Sequence, residues 1–175
     1  MTDMTDDAIV IAPAAPLHRP AAADPNAVVP GGAALEFLCF TLGREEFGID
    51  LHLVKQIVSP PPITFVPRTR SYFLGVISVR GSVVTLIDLR QLLGLDPAVR
   101  DKASRILLLN IDREPVGLMV DRVTQVRRVA PNDFETNPIL EENPATAHVV
   151  GILRPNRSEQ ITVIDLRDII EEALR

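Results

Sequence analysis

Two aspartates occupy the same place in a repeated phrase. Thr85-Leu86-Ile87-Asp88-Leu89-Arg90 returns as Thr162-Val163-Ile164-Asp165-Leu166-Arg167, 77 positions later. Two carboxylates brought together can share a proton and drive acid–base hydrolysis, which would make the chain a small hydrolase. Such carboxylates usually sit on glycine-rich loops, whereas here Leu and Arg follow each Asp. The surrounding residues suit another task better. Each Asp stands between an apolar strand-like run and a helix-like one, where its side chain can accept the first free N–H groups of the helix. Gln91 lies three residues after Asp88, as a capping box requires, and Asp168 takes that place in the second copy. Structural capping is the expected role of Asp88 and Asp165.

The remaining chemistry-bearing side chains form no constellation. His18, His52 and His148 are far apart, with no ligand spacing that would suit a metal. Cys39 lies inside an apolar run and reads as a small core residue rather than a nucleophile. The glycines are scattered singly at turns, apart from Gly31-Gly32 beside a Pro in the leader, so no phosphate-cradling loop is present. No catalytic residue, metal or cofactor is expected. Arg80 stands apart from this inventory. It precedes Gly81 at a hairpin tip, where a long cationic side chain projects from a rigid base. Arginine is enriched among the residues that anchor protein interfaces.

The elements that would position these residues are short strands. From Leu35 onward, apolar runs rich in Val, Ile, Leu and Phe alternate with turn residues every 8–12 positions, the pattern of a sandwich or barrel. Four hairpins are predicted: 35–42 with 47–51, 75–79 with 83–87, 105–111 with 116–120, and 149–153 with 160–164. Residues 54–58 and 123–129 should add one strand each. A short helix should follow Asp88, stopped by Gly94 and Pro97. A longer one should follow Asp165, with Ile169, Ile170 and Leu174 on its apolar face. The repeat extends through all of this. Phe40-x-Leu42-x-Arg44-Glu45-x-Phe47-Gly48-Ile49 is echoed by Leu109-x-Ile111-x-Arg113-Glu114-x-Val116-Gly117-Leu118 at an offset of 69, and Gly75-Val76-Ile77 by Gly151-Ile152-Leu153 at 76. The order is kept and the offset grows in one loop, near 131–147. Two small modules of one architecture are implied.

Bulk properties narrow the partners. The chain of 175 residues carries a net charge of −5 and has one Tyr and no Trp, which argues against nucleic acid. A single cysteine excludes an internal disulfide and suits a reducing compartment. Asp3, Asp6 and Asp7 stand where a signal peptide would carry basic residues, and the apolar run 8–12 is too short to span a bilayer. A soluble, cytoplasmic protein without direct membrane insertion is expected. Residues 1–33, rich in Ala, Pro and Asp, read as a disordered leader.

The run Gly75-Val76-Ile77-Ser78-Val79-Arg80-Gly81-Ser82, followed by Asp88-Leu89-Arg90, resembles the signature of CheW-like chemotaxis coupling proteins. Gly48-Ile49-Asp50, Val54-x-x-Ile57 and Ile63-x-x-Val66-Pro67 keep the same surrounding order. The resemblance covers 35–175. It implies a mainly β fold of two small, five-stranded SH3-like barrels, in halves of about 35–100 and 104–175 that can exchange terminal strands, closed by a C-terminal helix. It further implies a non-enzymatic adaptor, recruited to receptor arrays, that bridges chemoreceptor cytoplasmic tips to the regulatory domain of a CheA-type histidine kinase. The residues that match the family's contact regions are Ser78, Val79, Arg80 and Gly81 on the receptor side, and Val54, Lys55, Gln56 and Ile57 at a kinase or receptor interface. Gln56 stands where the family carries Glu. That change motivates a second reading, a paralogue that binds one partner only and acts as decoy or insulator.

Overall fold

The computed structural model of the protein describes residues 9–10, 34–96, 99–111, 114–135, 148–156 and 159–174. Residues 1–8, 11–33, 97–98, 112–113, 136–147, 157–158 and 175 lie outside them, and with them most of the expected leader, the Pro97 helix stop and the segment where the repeat offset grows. The fold is mainly β, in two six-stranded sheets. The first copy of the repeat supplies β2 (Leu35–Leu42), β3 (Glu45–Asp50), β4 (Val54–Val58), β5 (Phe73–Val79), β6 (Ser82–Asp88) and helix α1 (Leu89–Leu92). The second supplies β7 (Arg105–Ile111), β8 (Glu114–Val120), β9 (Arg122–Val129), β10 (Phe134–Glu135), β11 (Val149–Asn156), β12 (Glu159–Ile164) and helix α2 (Leu166–Leu174). Ahead of both, Ile9–Val10 forms a two-residue strand, β1. No described helix is long and apolar enough to cross a membrane.

The sheets do not divide along the sequence. Their strand orders are β1-β4-β7-β8-β6-β5 and β10-β11-β12-β3-β2-β9. The opening hairpin of the first copy, β2–β3, therefore lies among the strands of the second, and β7–β8 lies among those of the first. The exchange is reciprocal down to its seams. β3 runs parallel to β12 and β8 parallel to β6, while β2 is antiparallel to β9 and β7 to β4. A parallel seam cannot be made by a tight hairpin, so each SH3-like subdomain needs residues from both copies to close.

Strand alternation distributes side chains among three cores. Along β2, Leu38, Phe40 and Leu42 face the large cluster shared by the two sheets, while Phe37 and Cys39 face the interior of their own sheet. β7 does the same, sending Leu107, Leu109 and Ile111 to the shared cluster and Ile106 and Leu108 to the interior of the other. Both strands are covered on both faces along their middles, which is why Phe37–Phe40 and Ile106–Leu109 read as unbroken apolar runs. Leu166, Ile169 and Ile170 of α2 join the shared core. Leu174, expected on that face, is instead exposed. The buried stripe starts at Leu166 and runs through 169, 170 and 173, one step round the helix from Leu174.

The repeated glycines mark close approaches. A Cβ at Gly75 would stand 2.2 Å from the carbonyl oxygen of Thr64, and one at Gly151 would stand 2.5 Å from the Phe134 ring. In both copies a segment from outside crosses that point of the strand: Thr64 bridges Val76, and Phe134 pairs with Leu153. Only glycine leaves room.

A candidate protein-binding groove

The repeated Thr-x-Ile-Asp-Leu-Arg phrase forms a strand-to-helix joint in each copy. Asp88 Oδ1 accepts the N–H of Arg90 at 3.0 Å, and Asp165 Oδ1 accepts those of Arg167 at 2.9 Å and Asp168 at 3.4 Å. The backbone N–H of Asp88 in turn donates to the Tyr72 carbonyl, and that of Asp165 to His148, both at 2.8 Å. Each carboxylate thus serves the helix of its own copy, and the two end strands in different sheets.

Arg80 and Gly81 form a two-residue turn between Val79 and Ser82, which are paired across the hairpin. Both turn residues have positive φ, 49° and 82°. This is the geometry that normally selects Asn-Gly, because it matches the twist of the flanking strands. Arginine has no intrinsic preference for it and is held there at a cost. Among the described residues the only other non-glycine residue with positive φ is Arg68.

β4 reaches the same place from the other side. Its pairing with β7 shifts register between Val54 and Gln56. A bulge of this kind turns two successive side chains the same way. Val54 and Ile57 point inward and are buried in the shared core, whereas Lys55 is exposed and Gln56 half-buried. Of the four β4 residues expected at an interface, only Lys55 and Gln56 therefore offer their side chains; the other two are committed to packing.

Lys55 and Gln56 meet Val79, Arg80 and Ser82 around an open groove of about 370 Å³. Val84, Leu108, Leu109 and Pro115 supply apolar lining, with Asn110 between them. Two cations and no carboxylate line it. Ser78 and Gly81, also expected at the contact, are exposed but do not line the groove. The β7–β8 residues were not foreseen at all. They arrive from the other half of the sequence through the strand exchange, and linear spacing carries no sign of that.

The equivalent hollow on the second sheet is different in kind. Gln125 to Val129, Asp133 and Leu153 to Pro155 line about 470 Å³. Its arginines are paired: Arg127 with Glu159 at 2.9 Å, Arg154 with Glu135 at 3.4 Å, and Arg128 with Glu36. The charge there is compensated internally. The repeat thus gives one sheet a hollow lined by Lys55 and Arg80 with no carboxylate, and the other a hollow whose arginines are ion-paired.

Residues 36–174 match the CheW-like domain. The chain belongs to the CheW-like family of chemotaxis coupling proteins. Its relatives include the chemotaxis protein CheW of Helicobacter pylori, 30% identical over 139 residues that cover 79% of this chain and 82% of the relative. A probable chemotaxis protein CheW of Rhizobium etli is 31% identical over 78% of this chain and 88% of its own length. Among solved structures, the scaffolding protein TtCheW from Thermoanaerobacter tengcongensis superposes with a TM-score of 0.70 at 29% identity, covering 79% of this chain and 88% of that one. In this CheW-like chain the matched region takes in the groove, both helices and both sheets apart from β1, which lies in the leader.

Proposed function

We infer that this chain is a non-enzymatic adaptor in a chemotaxis-type signalling pathway, and that the groove of Lys55, Gln56 and Arg80 is its contact surface for a chemoreceptor's cytoplasmic tip. The observation that carries this reading is the convergence itself. Two segments 24 positions apart in sequence, Gln56 and Arg80, meet at one apolar depression, and the arginine stands in a backbone conformation that folding alone would not select. An apolar floor with a cationic rim suits one face of an amphipathic helix with acidic flanks. A CheA-type histidine kinase would take a second surface, which makes the chain a bridge in the cytoplasm at receptor arrays. The capping geometry of Asp88 and Asp165 gives a hydrolase reading no support.

The test is ternary assembly. Purified chain, kinase regulatory domain and receptor fragment should co-elute in size-exclusion chromatography. Arg80→Glu should lose the receptor while keeping the circular dichroism of the parent. Gln56, where the family resemblance implies Glu, favours a second reading in which only one partner binds; two-component complexes without a ternary one would select it.

A further inference from the structure

We propose that the outer edge of β4 is a strand-docking site, which takes an extended apolar segment by main-chain pairing and is filled here by the chain's own Ile9–Val10. The two strands pair antiparallel, Ile9 with Ile57 and Val10 with Gln56. This edge is one the repeat presents twice, on β4 and on β9, and the two copies are treated differently. β9 ends its sheet with no further strand among the described residues. It carries Arg122, Arg127 and Arg128, the last two held in ion pairs with Glu159 and Glu36. A charged edge of this kind discourages pairing with another strand. β4 reads Val54-Lys55-Gln56-Ile57-Val58, with one charge. It is the edge left able to pair, and the one that is covered.

The occupant suits displacement. It is a β-branched pair that adds only two residue pairs to the sheet, and short strands of this size are marginal by themselves. What holds it is covalent connection, since 24 residues separate Val10 from Leu35. A linker of this length sets an effective concentration on the order of millimolar. A partner strand displaces the leader when its concentration relative to its own Kd exceeds this effective concentration relative to the leader's intrinsic Kd, so a short leader strand yields to a longer, tighter-pairing one. The register also joins the edge to the groove: the residue paired with Val10 is Gln56, which lines it. This edge is distinct from the groove floor, and its assignment does not depend on which partner fills the groove.

Backbone hydrogen exchange tests the site directly, on the full-length chain and on the full-length variant Ile9→Pro/Val10→Pro, whose leader cannot pair as a strand. The β4 amides that face away from β7 should exchange at least about tenfold faster in the variant. A synthetic peptide of residues 5–14, added at millimolar concentration, should restore their protection in the variant. Equal β4 exchange in the two proteins would overturn the proposal, as would a peptide that leaves the variant's β4 amides unprotected.

Discussion

Arg90 Nη1 lies 2.5 Å from Asp121 Oδ2, and the same carboxylate oxygen accepts the backbone N–H of Gly43 at 2.7 Å. The three groups come from three places: α1 behind one sheet, the β8–β9 junction between sheets, and the β2–β3 turn of the other. Arg90 also donates from Nε to the Asp96 carbonyl at 2.8 Å. Its side chain is 14% exposed and that of Asp121 33%. The last arginine of the repeated phrase is therefore an inter-sheet tie in the first copy. It fixes the hairpin that the first copy contributes to its neighbour.

Asp121→Ala should strand a mostly buried guanidinium and free the Gly43 N–H. Charge-assisted hydrogen bonds of this kind contribute about 1.5–3 kcal/mol, and a loss of about 2–3 kcal/mol is expected in urea denaturation. Added salt should reduce that difference only in part, because the Arg90 side chain is largely buried while Asp121 is a third exposed.

Glycine substitutions should separate space from backbone strain. Gly75→Ala places a methyl 2.2 Å from the Thr64 oxygen at a φ of +134°, so more than about 3 kcal/mol is expected, enough to prevent folding of a marginal domain. Gly81→Ala meets no atom within 4 Å and is strained only by its φ of +82°. It should cost about 1 kcal/mol. Thermal melts of the two variants give the comparison.

How far these features could be read in advance depended on their range along the chain. The caps at Asp88 and Asp165 were legible because donor and acceptor lie within three residues of each other. The hairpins were legible because Gly43 and Arg80-Gly81 interrupt alternating apolar runs. The exchange of β2–β3 and β7–β8 was expected from the family resemblance alone, since the parallel seams join Thr85 to Val116 and Glu46 to Ile161 with no local mark at either end. The groove was half legible for the same reason. Lys55, Gln56, Val79 and Arg80 were in view, and Leu108, Asn110 and Pro115 were not. Ile9–Val10 escaped notice because a two-residue strand takes its order from the edge it joins.

Arg80→Asn should move stability and binding in opposite directions. Asn tolerates the left-handed conformation that Arg80 holds at φ 49°, and Asn-Gly is the preferred pair for this turn. A gain of about 0.5–1 kcal/mol in the melt is expected. Loss of the cation and its stem should at the same time weaken receptor-fragment binding by about tenfold, the effect of removing a contact worth about 1.4 kcal/mol. Calorimetric titration beside the melt would show both. A stabilised variant with unchanged affinity would remove Arg80 from the contact surface.

Cys39 should behave as an inert thiol whose protonation supports the fold. It is fully buried, and burial, followed by the nearby Glu46 carboxylate, pushes its pKa from 9.0 to about 11. The native thiol therefore stays neutral at pH 8 and should resist alkylation until urea unfolds the chain. The sign of its pH dependence follows from proton counts. Between about pH 9 and 11 the unfolded thiol has lost its proton while the folded one keeps it, so the unfolded state binds fewer protons and stability falls as pH rises. The contribution is complete below pH 9 and is lost towards pH 11. Urea midpoints at pH 8 and pH 10 should accordingly differ more for the parent than for Cys39→Ala, which keeps every other titrating group and lacks this one.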